Sequence, residues 1–232
     1  MDIGRKVILT CLQTTNMKKA FYFLGFVFLL CGIAFIFLSY TQQGKRVKAL
    51  YFPKQDINTP NNAFVKDEKL EKKIRDSKTF TKEQGYNTTI CFLIDMSMHS
   101  GSNRFMVYDL DKDSVIHSAP VTHGRCNENW LEGRKYGNVV GCGCTSLGKY
   151  KIGNAYQGRF GLAYKLHGLE KTNDKAFERF VVLHSHECVP DKAVTDDICQ
   201  SDGCPTVSPG FLKYIKPIIN NSKNAVLLWI YE

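Results

Sequence analysis

The run AFYFLGFVFLLCGIAFIFLSY, from Ala20 to Tyr40, carries no charged side chain. A helix rises about 1.5 Å per residue, so the run spans roughly 30 Å, the thickness of a bilayer's hydrocarbon core. No other stretch constrains the chain so tightly. Lys18 and Lys19 precede it, with Arg5 and Lys6 further out, and Lys45, Arg46 and Lys48 follow. Charge on both flanks leaves the positive-inside signal weak. A cleaved signal peptide is the alternative, but the run is long and no small-x-small site follows it. Cys31 suggests a lipoprotein, yet Leu30 before it is too large for the usual small residue. Met17 opens MKKAFYF, the form of an export signal. The expectation is an uncleaved, single-pass anchor at 20–40 in the inner (cytoplasmic) membrane. Residues 1–19 would then be cytoplasmic, and the bulk of the chain would face the periplasm and cell wall.

The rest of the 232 residues suits one domain plus its lead-in. Hydrophobic residues make up 44% of the chain, enough for a sizeable core. The formal net charge of +9 favours an anionic partner: nucleic acid, lipid headgroups or an acidic wall polymer. No zinc-finger spacing and no RRM or KH motif is present, so nucleic acid is not an expected partner.

Residues 41–87 read as a linker and a lead-in helix. Pro53, Pro60 and several Asn mark the linker, and VKDEKLEKKIRDSKTF reads as a short solvated helix. Strands dominate from residue 88 to the end. TICFLID is a short buried run, and RFMVYDL and SVIHSAPV flank DKD as a hairpin. GKYKIG, GLAYKLHG, RFVVLHS and AVLLWIYE read as further strands. SPGFLKYIKPII reads as a helix, with Ser208 as N-cap and Pro209 at the first helical position. Two motifs are decoys. Asp109, Asp111 and Asp113 alternate like the start of a calcium loop, but Ser114 and Pro120 stand where Gly and Glu are needed. GNAYQGRFG is glycine-rich but lacks the P-loop Lys, and reads as a loop between strands.

Nine cysteines are present. Cys11 and Cys31 lie before or within the apolar run. Cys91, Cys126, Cys142, Cys144, Cys188, Cys199 and Cys204 lie beyond it. If one of these is a free nucleophile, the others are even in number and can pair in an oxidising compartment, within RCNENW…GCGC and HECVPDKAVTDDIC. Cys204 is the candidate nucleophile. A free thiol of pKa near 8.5 is only about 3% ionised at pH 7, and an imidazole can raise that roughly thirtyfold. His184 closes the strand RFVVLHS, where a rigid element can aim it. Gly203 and the helix start after Cys204 place backbone N–H groups where an oxyanion would develop. The order His before Cys is opposite to that of papain, and the spacing is far shorter than in caspases.

VVLHSH…ICQSDGCPTVSP resembles the signature of L,D-transpeptidase catalytic domains: a His-Ser at a strand end, then Ser-x-Gly-Cys. FLIDMSMHSGSNRFMVYDL, VTHGR, TSLGKYKIGNAYQGRFGLAYKLHGLE and NDKAFERFVVLHS also resemble the murein L,D-transpeptidase branch. The similarity covers residues 88–232. It implies a mainly β fold, a YkuD-type β-sandwich with a few short helices. The implied activity is cross-linking of peptidoglycan stem peptides, with no cofactor and no metal.

Carried over, the resemblance makes Cys204 the nucleophile and His184 its base, with the Ser185 backbone orienting the imidazole. Ser201 and Gly203 match the motif, and the N–H groups of Gly203 and Cys204 would form the oxyanion hole. Asp202 stands where many members have His. His186 is the rival base, since it shares a strand face with His184. His123, His186 and Asp202 are candidates for the substrate pocket. Three alternatives stay open. Water as acceptor would make the site an L,D-carboxypeptidase. His184, His186, Cys188, Cys199 and Cys204 are zinc-type ligands, though without a paired C-x-x-C. A non-catalytic, disulfide- or zinc-stabilised wall-binding module is the third. The sequence leaves the oligomeric state open.

Overall fold

The computed structural model describes residues 67–232; the expected anchor and linker lie outside the described residues. Among the described residues, no helix is long and apolar enough to cross a membrane. A first helix, α1 (Glu68–Glu83), leads into β1 (Ile90–Asp95), β2 (Phe105–Asp109) and β3 (Ser114–Ala119). There follow β4 (Gly148–Gly158), β5 (Gly161–Gly168), β6 (Val182–Ser185) and β7 (Thr206–Val207). Helix α2 (Pro209–Asn220) and β8 (Leu227–Tyr231) complete the domain.

β1, β2 and β8 are buried along their whole length, as their unbroken apolar runs demand. Successive side chains point to opposite faces, so each strand feeds two cores. Phe92, Ile94, Val107, Leu228 and Ile230 join the larger core beneath α2. Cys91, Leu93, Met106, Leu227 and Trp229 join the smaller one beneath α1.

The resemblance implied a mainly β fold, a YkuD-type β-sandwich with a few short helices, and the eight strands and two helices of the described residues agree with it. The strands hydrogen-bond as one eight-stranded sheet in the order β3-β2-β1-β8-β4-β5-β6-β7. Its two ends meet. Just beyond β3, the Thr122 N–H donates to the Thr206 carbonyl in β7 at 2.9 Å, and the Thr206 N–H donates to Thr122 Oγ1 at 3.2 Å. The chain continues the contact with a parallel bridge between Gly124 and Ser201. The twisted sheet thus curls round the larger core, and the contact between its ends forms a seam.

Three local expectations change. α1 is not simply solvated: Leu70, Ile74, Ser77 and Thr81 form a buried stripe at helical spacing. Asp67 caps it, accepting from the Leu70 N–H at 2.7 Å. GNAYQGRFG is mostly strand, because β4 continues to Gly158 and β5 starts at Gly161. Arg159 and Phe160 are left as the turn, and Gly161 takes φ +81° as such a tight connection requires. RFVVLHS is strand only from Val182. Before it, the chain ends a helical turn with the Val181 N–H bonded to Ala176 O at 2.9 Å, and Phe180 adopts φ +58°. Glycine usually fills such a left-handed cap. The C-terminal helix matches its signals: Pro209 opens it, and Ser208 Oγ accepts from the Phe211 N–H at 3.1 Å.

Candidate active site

The strand β6 puts His184 between two neighbours, opposite Ala163 of β5 and Thr206 of β7. The side chain is buried. Its Nδ1 lies 3.1 Å from the Ser185 carbonyl and its Nε2 3.1 Å from Thr206 Oγ1. A carbonyl can only accept, so Nδ1 carries the proton and Nε2 keeps its lone pair, facing the hydroxyl. Nε2 is therefore the basic atom. Phe160, at the tip of the β4–β5 hairpin, stacks on the imidazole with centroids 5.1 Å apart and planes 16° apart. Burial moves the His184 pKa below the ordinary histidine value, against the Ser185 bond, which raises it. His186 lies past the strand end, exposed, and meets the edge of the same Phe160 ring at 5.6 Å.

Cys204 sits on the loop between Ser201 and β7, with a free thiol. Its sulfur accepts from the Val182 N–H at 3.4 Å and lies 3.9 Å from the Phe180 carbonyl. No hydrogen bond joins it to His184 among the described residues. Burial raises the thiol pKa, and the Val182 N–H and the Arg179 charge oppose that rise. Gly203 takes φ +105°, and an added Cβ would meet the Cys144 carbonyl at 2.6 Å, so only glycine fits. The Gly203 N–H donates to Ser201 Oγ at 3.2 Å, and Ser201 Oγ in turn donates to the Cys204 carbonyl at 2.7 Å. The Cys204 N–H makes no hydrogen bond among the described residues. Of the expected oxyanion donors, then, Gly203 is engaged by its own loop and Cys204 is open. The first turn of α2 is not turned to this use, because β7 intervenes and Ser208 caps it.

His184, His186, Ser201, Asp202, Cys204 and Thr206 share the wall of one cleft of about 360 Å³. Phe160, Arg125 and Trp130 complete its rim. Arg125 Nε pairs with Asp202 at 2.8 Å across the mouth. His123 is placed differently. It is buried, with Nδ1 3.1 Å from Arg104 Nη2, and burial beside two arginines pushes its pKa down to about 4. Its carbonyl accepts from the Ser201 N–H at 2.9 Å, so it props the Cys204 loop from behind.

Two disulfides brace the site, Cys126–Cys144 and Cys188–Cys199. The second takes two of the five zinc-type ligands. No cluster of three or more such ligands occurs among the described residues. Cys91 and Cys142 remain free with Cys204. Sequence reasoning missed Thr206, Phe160 and Arg179. All three stand in the blocks that carry the resemblance, but nothing in the local pattern gives them a role, and only the sheet register and the hairpin bring them to the site.

A mainly β domain, with a free cysteine and a sheet-held histidine on one cleft, defines the class. The chain belongs to the L,D-transpeptidase catalytic domain family, whose sequence profile matches residues 61–231. That match takes in α1 as well as the strands. No curated protein matches the chain. Among solved structures, an L,D-transpeptidase from Mycobacterium smegmatis shares 10% identity over 62% of this chain and 59% of that one, at a TM-score of 0.38. An L,D-transpeptidase from Mycobacterium tuberculosis shares 14% over 62% and 58%, at 0.37. The helical cell shape determining protein of Campylobacter jejuni shares 13% over 63% and 48%, at 0.40. The chain thus spans about six tenths or less of the length of these structures.

Proposed function

We propose that the protein is a peptidoglycan L,D-transpeptidase acting through a thioester on Cys204. The observation that carries this reading is the shared cleft of Cys204 and His184, with the imidazole held between β5 and β7. Cys204 Sγ attacks the carbonyl at the L-centre of a diamino acid in the donor stem peptide. The bond to the terminal D-amino acid breaks, and its amine leaves with the proton that His184 took from the thiol. A side-chain amine of a second stem then attacks the thioester. The new amide joins two third-position residues, and the released sulfur recovers a proton.

The resting thiol is turned toward Val182 and Phe180. In this scheme Sγ leaves these contacts by rotating about Cα–Cβ and turns to His184. Thr206 Oγ1, now on Nε2, is the group the thiol displaces. Burial favours the neutral form of both groups, and in this scheme the proton passes from the thiol to Nε2 as Sγ attacks. The free Cys204 N–H is the oxyanion donor of this scheme, a contribution of about 3–4 kcal/mol in known enzymes. Two disulfides support an oxidising compartment, and the apolar run at 20–40 supports a place on the outer side of the cytoplasmic membrane.

Full-length protein in detergent, incubated with purified muropeptides, should yield an acyl-enzyme and a cross-linked dimer by mass spectrometry. Cys204→Ala should yield neither and stay folded. An adduct that persists in Cys204→Ala overturns the nucleophile. Shortened stems without dimers would identify water as the acceptor.

A further inference from the structure

Arg179 stands one residue before Phe180, outside the cysteine–histidine pair, and its side chain reaches across to the 137–146 segment. Nη1 donates to the Gly137 carbonyl and to Ser146 Oγ, each at 2.9 Å. Nη2 donates to the Cys144 carbonyl. Arg179 makes no salt bridge among the described residues. Carbonyl and hydroxyl acceptors orient a cation without cancelling its charge.

The same Nη2 also faces the Cys204 loop. A Cβ on Gly203 would lie 3.2 Å from Arg179 Nη2. The missing side chain therefore lets the residue before Cys204 lie against the cation. The Cys204 sulfur is itself turned toward the turn that carries Arg179, touching the backbone of Phe180 and Val182. The positive charge also opposes the burial that raises the thiol pKa.

We propose that Arg179 is a positioning residue for Cys204: it clamps the 137–146 segment against Gly203, and its uncancelled charge stabilises the anionic sulfur. Charge beside a half-buried thiol is poorly screened by salt, so its effect exceeds that of a surface pair. The proposal rests on Cys204 being the nucleophile, but its test does not need turnover.

The full-length protein is alkylated with iodoacetamide across a pH series, and the rate is read on the Cys204 peptide by mass spectrometry. Arg179→Gln keeps donors for the carbonyls and loses the charge. Arg179→Lys keeps the charge and loses the fork. The expected result is an upward shift of the alkylation midpoint in Arg179→Gln, with the rate near pH 7 down by roughly fivefold or more. Arg179→Lys should keep its midpoint near that of the wild type. Equal midpoints in all three proteins overturn the proposal and leave Arg179 as a brace. If Arg179→Gln does not fold, Arg179→Met replaces it, since Met and Lys both lack the fork and differ in charge. If neither uncharged variant folds, the role is in folding and the proposal falls. Acylation by muropeptides, lost in Cys204→Ala, tests the nucleophile separately.

Discussion

His184 and His186 both touch the ring of Phe160, yet only His184 is fixed at both nitrogens, by Ser185 and Thr206. A base has to hold its geometry to within a fraction of a bond length, and a strand does this better than a chain leaving one. His184→Ala should therefore lower the acylation rate at least about a hundredfold, and His186→Ala less than about tenfold. A rapid-mixing assay of a carbapenem or muropeptide donor reads both, and the reverse order would move the base to His186. The pH dependence follows from burial. Nε2 works only when unprotonated, and burial moves the His184 midpoint below the ordinary 6.5. The acid limb of the acylation rate should accordingly fall below that value and vanish in His184→Ala. Stability moves in the same sense. The unfolded chain takes up protons first as the pH falls from 6.5, so the folded state loses stability until His123 also protonates, near 4.

Helix α1 is the element whose weight the sequence hides best. Leu70 and Ile74 sit at a visible helical spacing, but the stripe continues through Ser77 and Thr81, which look like surface residues and are buried. Charge-dense flanks conceal a face that closes the smaller core against Leu93, Leu227 and Trp229. Lys73 adds a cation 4.2 Å from the Trp229 ring centre. Leu70→Ala should cost about 2–4 kcal/mol in urea unfolding. A loss under about 0.5 kcal/mol, ordinary for a surface site, would mean that the helix does not pack this way. The strands were legible because buried strands leave unbroken apolar runs, as in Ile90–Asp95 and Leu227–Tyr231. Their order was not, since β8 enters between β1 and β4 from the far end of the chain. The same distance explains the site. His184 and Cys204 stand in motifs, and their shared cleft could be expected from them. The thiol's orientation depends on Val182 and Phe180, and the imidazole's on Thr206, through pairings no local pattern announces.

At the scale of the whole domain, the site lies on the seam where the two ends of the sheet meet. Thr122 and Thr206 join it, Gly124 and Ser201 extend it, and Cys204 stands between. Each disulfide pins one side: Cys126 follows the first strand of the seam and Cys199 precedes the second. A bridge over loops of this size is worth about 2–4 kcal/mol. Reduction with dithiothreitol should lower acylation at least about tenfold while far-ultraviolet circular dichroism keeps most of its strand signal. Full activity in the reduced protein would show that the seam holds without them. The seam also closes a long loop that the site requires, 84 residues from Thr122 to Thr206. Contacts that far apart form late, because the loop entropy must be met before they contribute. A molecule can therefore have its hairpins in place and still present an unaligned thiol. Labelling Cys204 with an acyl donor counts finished molecules, and its lag behind the strand signal during refolding is a clock for the last step.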